Sequence, residues 1–124
     1  MSSLAWVGLG GALGAMSRYL MALWVNGWWD RSFPLATLLI NALGSLLMGI
    51  VVVALVERLQ LGPQFRAALM TGFLGGFTTF STFSLESYNL LVQGELTSAL
   101  LYLLASVILC VLALALGIWL ARLI

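Results

Sequence analysis

The chain has 124 residues, of which 63% are hydrophobic and only 7% charged, with a formal net charge of +1 and a mean hydropathy of +1.14. That balance excludes an ordinary soluble domain. Histidine is absent and Cys110 is the single cysteine, which excludes an intrachain disulfide, a cysteine-based metal centre and a histidine proton shuttle.

Four windows, roughly 4–25, 34–56, 66–92 and 97–121, are long enough to cross a hydrocarbon core, which takes about 20 apolar residues in a helix. Their runs are continuous, whereas strands of a membrane barrel would alternate over about 10 residues. The expectation is an all-α integral membrane protein with one four-helix transmembrane domain over residues 1–124. No basic residue precedes the first window and the apolar pattern resumes after Arg18, so that window reads as a span and not as a cleaved signal.

The first window carries small-residue pairs at four-residue spacing, Gly8 with Ala12, Gly10 with Gly14 and Gly11 with Ala15, which let membrane helices approach closely. Arg18 continues the Gly10 and Gly14 stripe one turn on. Two roles fit it: snorkelling to the interface, or setting a positive potential at an aqueous mouth. The following loop, "NGWWDRSFP", holds interfacial Trp28 and Trp29, the charges Asp30 and Arg31, and Pro34 at the start of the next helix.

In the second window Thr37, Asn41, Ser45 and Gly49 form one polar or small stripe. Asn41 offers two N–H donors, and an amide in a bilayer is costly unless paired. A hydrogen bond to a neighbouring helix and a place on a polar pathway both satisfy it. Gly62 and Pro63 break the chain before the third window.

That window contains "TGFLGGFTTFSTFSLESYN", where three glycines (Gly72, Gly75, Gly76) and five Ser/Thr hydroxyls between Thr78 and Ser84 predict a break near residues 75–79. A helix broken at mid-membrane depth must be buried in protein or line a wet cavity. Freed carbonyls near Gly75 to Thr78 suit a weakly charged cation such as sodium, while a divalent ion would demand carboxylates. Phe77, Phe80 and Phe83 recur on one face, where ring edges can line an anion path. Ser81 and Thr82 add donors, and Glu86 follows one turn later; an intramembrane acid is a functional candidate. The fourth window repeats the four-residue stripe with Ser98, Tyr102, Ser106 and Cys110.

With four spans, Arg58, Arg66 and Arg122 fall on one side against Arg18 and Arg31 towards the other. Three against two is a weak orientation bias, which allows insertion both ways and an antiparallel homodimer.

"GGFTTFSTFSLES", together with "GGALGAMSRY" and "LLINALGSLLMG", resembles the motifs of the Fluc-type fluoride channels, also called CrcB proteins, in order and over essentially the whole chain. The resemblance implies a dual-topology antiparallel homodimer with two fluoride pores and a structural sodium ion at the interface. It assigns the sodium to the backbone carbonyls of Gly75 and Thr78, and the vestibule to Arg18, Thr37 and Asn41. The pathway would run through Phe80, Phe83, Ser81, Thr82, Glu86, Tyr102 and Ser106. Cys110 departs from the pattern, supplying a weak S–H donor where a hydroxyl is expected. The implied activity is passive fluoride export across a bacterial inner membrane by a multi-pass protein. Its partners would be fluoride, sodium, membrane lipid and a second copy, with no nucleic acid.

A proton-coupled exporter of the small multidrug-resistance type is the rival, but it needs a carboxylate in its first helix, and this one has none. A non-transporting assembly subunit would leave the hydroxyl-rich segment and the two polar stripes unexplained. An enzyme is excluded because no nucleophile–base pair or metal cluster can be assembled from these residues.

Overall fold

The computed structural model describes residues 2–124, and among them every regular element is helical. Helix α1, Ser3–Trp28, starts where the Ser2 hydroxyl accepts a hydrogen bond from Ala5 N at 3.4 Å. Helix α2, Leu35–Val51, begins directly after Pro34 and continues as wider π-type turns over Val52–Arg58. Helix α3 covers residues 63–77, with Pro63 in its first turn and π-type winding over Ala67–Leu74. Helices α4, Phe80–Val92, and α5, Leu96–Leu123, complete the chain. Two of these rods, Leu35–Arg58 and Leu96–Leu123, are long and apolar enough to cross a membrane.

Two helix pairs dominate the packing: α1 lies on α3, and α2 lies on α5. The cause is visible in the glycines. A Cβ on Gly10 would overlap the Ala68 carbonyl oxygen, and one on Gly14 would overlap that of Phe73, so α1 meets α3 backbone to backbone. The second pair repeats this reciprocally, with Gly49 against Leu114 and Gly117 against Leu46. Gly8, by contrast, faces open space, so the first of the small-residue pairs makes no close contact within the chain.

Between α3 and α4 the backbone leaves the helix at Thr78 (φ −86°, ψ 159°) and Thr79 (φ −152°, ψ 121°). Gly75 and Gly76 remain helical, contrary to the sequence reading, in which they helped to break the helix. Gly76 instead permits close packing, since a Cβ there would stand 2.7 Å from the Gly11 carbonyl oxygen. The two threonines stabilise the interruption with their hydroxyls: Thr78 Oγ1 donates to Leu74 O at 2.9 Å, and Thr79 Oγ1 accepts from Thr82 N at 3.2 Å as the N-cap of α4. Gly44 on α2 makes room, because a Cβ there would overlap the Thr78 methyl group.

The buried core joins Leu38, Phe83, Leu90, Ala99 and Tyr102, while most of α5 turns leucine and valine outward. Such an exterior suits lipid or a partner, not water.

Candidate functional site

Four elements converge on one groove of about 450 Å³. Helix α2 contributes Asn41 and Ser45, the interruption contributes Thr78 and Thr79, α4 contributes Phe80 and Phe83, and α5 contributes Ser106 and Cys110. The polar stripes of the second and fourth windows therefore face one another, as their matching four-residue spacing on closely paired helices requires.

Asn41 is the structural centre of this groove. Its Nδ2 donates to Thr79 O at 3.0 Å, and its Oδ1 accepts from Thr79 N at 2.8 Å. One side-chain amide thus replaces the backbone partners that Thr79 loses where the helix stops. The second N–H of Asn41 makes no hydrogen bond to the described residues, so it remains a donor on the groove wall. Of the two roles open to Asn41, the hydrogen bond to a neighbouring segment is present, and it leaves the other role available.

Ser106 is 8% exposed, and its hydroxyl is buried with no hydrogen-bond partner among the described residues. A buried hydroxyl without a partner costs about 1–3 kcal/mol. Ser106 is one of the residues that line the groove.

The rings form a graded series. Phe80 is 77% exposed at the groove edge, and its centroid lies 5.3 Å from that of buried Phe83. Phe83 in turn stands 5.0 Å from Tyr102, whose hydroxyl donates to Glu86 Oε1 at 3.0 Å. Tyr102 is fully buried, and Thr37 is buried beside it.

Arg18 stands across the interruption, where its Nε donates to Gly76 O at 3.0 Å. This caps one of the carbonyls freed at the end of α3. Leu74 O is taken by Thr78, but the Gly75, Phe77 and Thr78 carbonyls accept no hydrogen bond among the described residues. Ser81 is exposed, its hydroxyl 3.4 Å from that of Thr79, and Thr82 is anchored through its backbone to the same threonine.

Sequence reasoning passed over Thr79, which ties α2 to α4 through backbone and hydroxyl together. Its signal was the Thr-Thr pair itself, since a hydroxyl three residues before a helical N–H is a capping pattern. Ser45 stood on the recognised stripe and lines the groove as well.

A family model described as "CrcB-like protein, Camphor Resistance (CrcB)" matches residues 5–118. The chain belongs to the CrcB-like family. Among relatives of this CrcB-like chain is a protein of Hahella chejuensis named "Fluoride-specific ion channel FluC", 51% identical over 121 residues, covering 98% of this chain and 95% of the relative. Proteins of the same name from Magnetococcus marinus and Hydrogenovibrio crunogenus are 48% and 45% identical, over 98% and 91% of this chain and 98% and 86% of their own lengths. Membership makes the CrcB-like chain a membrane protein, and its relatives carry the names of channels, not of enzymes.

Proposed function

We propose that this chain is one subunit of an antiparallel, dual-topology homodimer in the bacterial inner membrane, which conducts fluoride passively and selectively out of the cytoplasm through two pores. Each subunit crosses the membrane four times as a single domain, with the Thr78–Thr79 interruption at mid-depth. The unpartnered Ser106 hydroxyl, buried in a groove edged by Phe80 and Phe83, carries the reading.

Fluoride is small, strongly hydrated and a strong hydrogen-bond acceptor, so a pathway must replace its water with donors that do not grip it too firmly. Ser106 Oγ and the second amide N–H of Asn41 are such donors, neutral and few. Ser45 and Cys110 extend the line along the groove, and the positive ring edges of Phe80 and Phe83 supply weak attraction without a binding charge. Tyr102 and Glu86 continue the route beyond Phe83; Ser81, Thr82 and Thr37 flank it, and Arg18 stands near its entrance as a positive group. Phe80 is too exposed for a finished pore wall, which supports a second subunit as the missing side.

The same interface suits sodium. The carbonyls of Gly75 and Thr78 have no hydrogen-bond donors among the described residues, Gly75 is exposed, and neutral oxygens fit a monovalent hard cation. These carbonyls from both subunits would hold the ion, whose charge would offset the carbonyl dipoles that meet there. An acid in the first helix, which a proton-coupled multidrug exporter needs, is absent from Ser3–Trp28.

Purified protein in liposomes provides the test. Fluoride efflux should be large and chloride efflux negligible, with no requirement for a proton gradient. Equal efflux of both anions, or none, refutes the channel. A reporter on the C-terminus should be found on both faces of the membrane, and a single orientation refutes dual insertion.

A further inference from the structure

Past Glu86, at the bundle end formed by the 29–34 loop and the α4–α5 turn, lies a second cavity of about 240 Å³. Asn26, Arg31, Ser32, Asn89 and Gln93 line it with Glu86. We propose that this cavity is a second anion mouth of the pathway, and that Arg31 is the positioning residue that makes it passable to a small anion. The proposal rests on the fluoride-channel reading and extends it to the far end of the route.

Three side chains in contact separate the two cavities. Phe83 lines the groove, Tyr102 touches Phe83, and Glu86 accepts the Tyr102 hydroxyl bond while lining the second cavity. On the proposed route, an anion that passes Phe83 and Tyr102 reaches this cavity next. The walls offer what a rehydrating anion needs, amide and hydroxyl donors that exchange readily with water.

The charges at this end are unbalanced. Asp30, Glu86 and Glu95 bring three carboxylates, and Arg31 is the one cation there among the described residues. Glu95 is held at the rim by the Ser32 hydroxyl, which donates to Oε1 at 3.0 Å, and its other oxygen is buried without a partner. Arg31 forms no ion pair among the described residues. Its guanidinium carbon instead lies 5.5 Å from the ring centroid of Trp29, and that ring is itself fixed by a 2.8 Å bond from Nε1 to Phe33 O. The aromatic face positions the positive charge without neutralising it. Without Arg31 the charged groups an arriving anion meets would all be carboxylates.

Charge focused at a cleft raises encounter rates by about 10-fold or more and is lost as salt shortens the screening distance to about 3 Å at 1 M. The test is fluoride flux from neutral-lipid liposomes holding the full-length protein, with impermeant gluconate salt setting ionic strength to about 10 mM or about 1 M. Arg31→Ala should lower the low-salt rate by about 10-fold and approach wild type at high salt, while Arg31→Lys should restore most of the rate. Arg31 is exposed and makes no side-chain hydrogen bond among the described residues, so the variants should elute from gel filtration as wild type does. An Arg31→Ala rate equal to wild type at low salt, a loss equal at both salts, or no rescue by lysine overturns the proposal. If wild type conducts fluoride selectively and Arg31→Ala matches it, only this inference fails; if wild type carries no selective flux, the channel reading fails first.

Discussion

Replacing Asn41 by alanine removes both hydrogen bonds that hold Thr79, at 2.8 and 3.0 Å. Each backbone group left unsatisfied costs about 1–3 kcal/mol when buried. Both are partly buried beside a groove that water can enter, which places the expected loss near the lower bound, about 2–3 kcal/mol for the pair. Asn41→Asp is more informative, because the carboxylate still accepts from Thr79 N but turns a second oxygen towards Thr79 O. It should recover part of the stability while slowing fluoride entry through like-charge repulsion. Unfolding midpoints in mixed detergent micelles measure the first effect, and fluoride flux measures the second. An Asn41→Ala protein as stable as wild type would refute the claim that this amide holds the interruption together; an unchanged flux in Asn41→Asp would remove its vestibule role.

Ser106→Ala should cut fluoride flux severely yet leave stability unchanged or slightly raised, because the lost hydroxyl has no partner to abandon; a destabilised but fully conducting variant would contradict this. Phe80→Ile and Phe83→Ile should both reduce flux, but only the buried Phe83 change should lower the unfolding free energy, by about 1–2 kcal/mol. Normal flux in both would dismiss the rings as pore elements. Gly14→Leu and Gly117→Leu force side chains into the carbonyls of Phe73 and Leu46, so each should abolish the monodisperse gel-filtration peak, whereas Gly8→Leu should preserve it because that position is open. A normal peak for Gly14→Leu would show that the α1–α3 contact is looser than described.

Long apolar windows with small-residue spacing made the helices legible, since hydropathy sets length and glycine spacing sets which faces can touch. Helix ends moved outward by a few residues, as for α1, whose observed Ser3–Trp28 exceeds the expected 4–25. Polar residues at the loops tolerate helical geometry, so they mark the end of the apolar run and not of the helix. The stripes were readable as stripes, and Asn41, Ser106 and Phe83 could be selected because amides, hydroxyls and rings are conspicuous among leucines. What remained illegible was the partner of each group. Nothing in the spacing indicates that Asn41 serves Thr79, 38 residues away, or that Ser106 has no partner at all, because both facts depend on how two helix pairs dock. The glycine error has the same origin. Gly76 is a poor helix former by intrinsic preference, yet its missing side chain is used for packing against Gly11, and tertiary contact overrides propensity.

The backbone-to-backbone contacts of the two helix pairs also bear on how finely the molecule can discriminate. Side chains at an ordinary helix interface can change rotamer and yield a little to an ill-fitting guest, but a carbonyl seated directly on a glycine has no such freedom. Scaffold stiffness of that kind confines the hydroxyl and amide donors to fixed spacings. On the proposed channel reading, an ion larger than fluoride would then have to strain peptide planes, not merely swing a leucine aside, and peptide planes resist bending far more strongly.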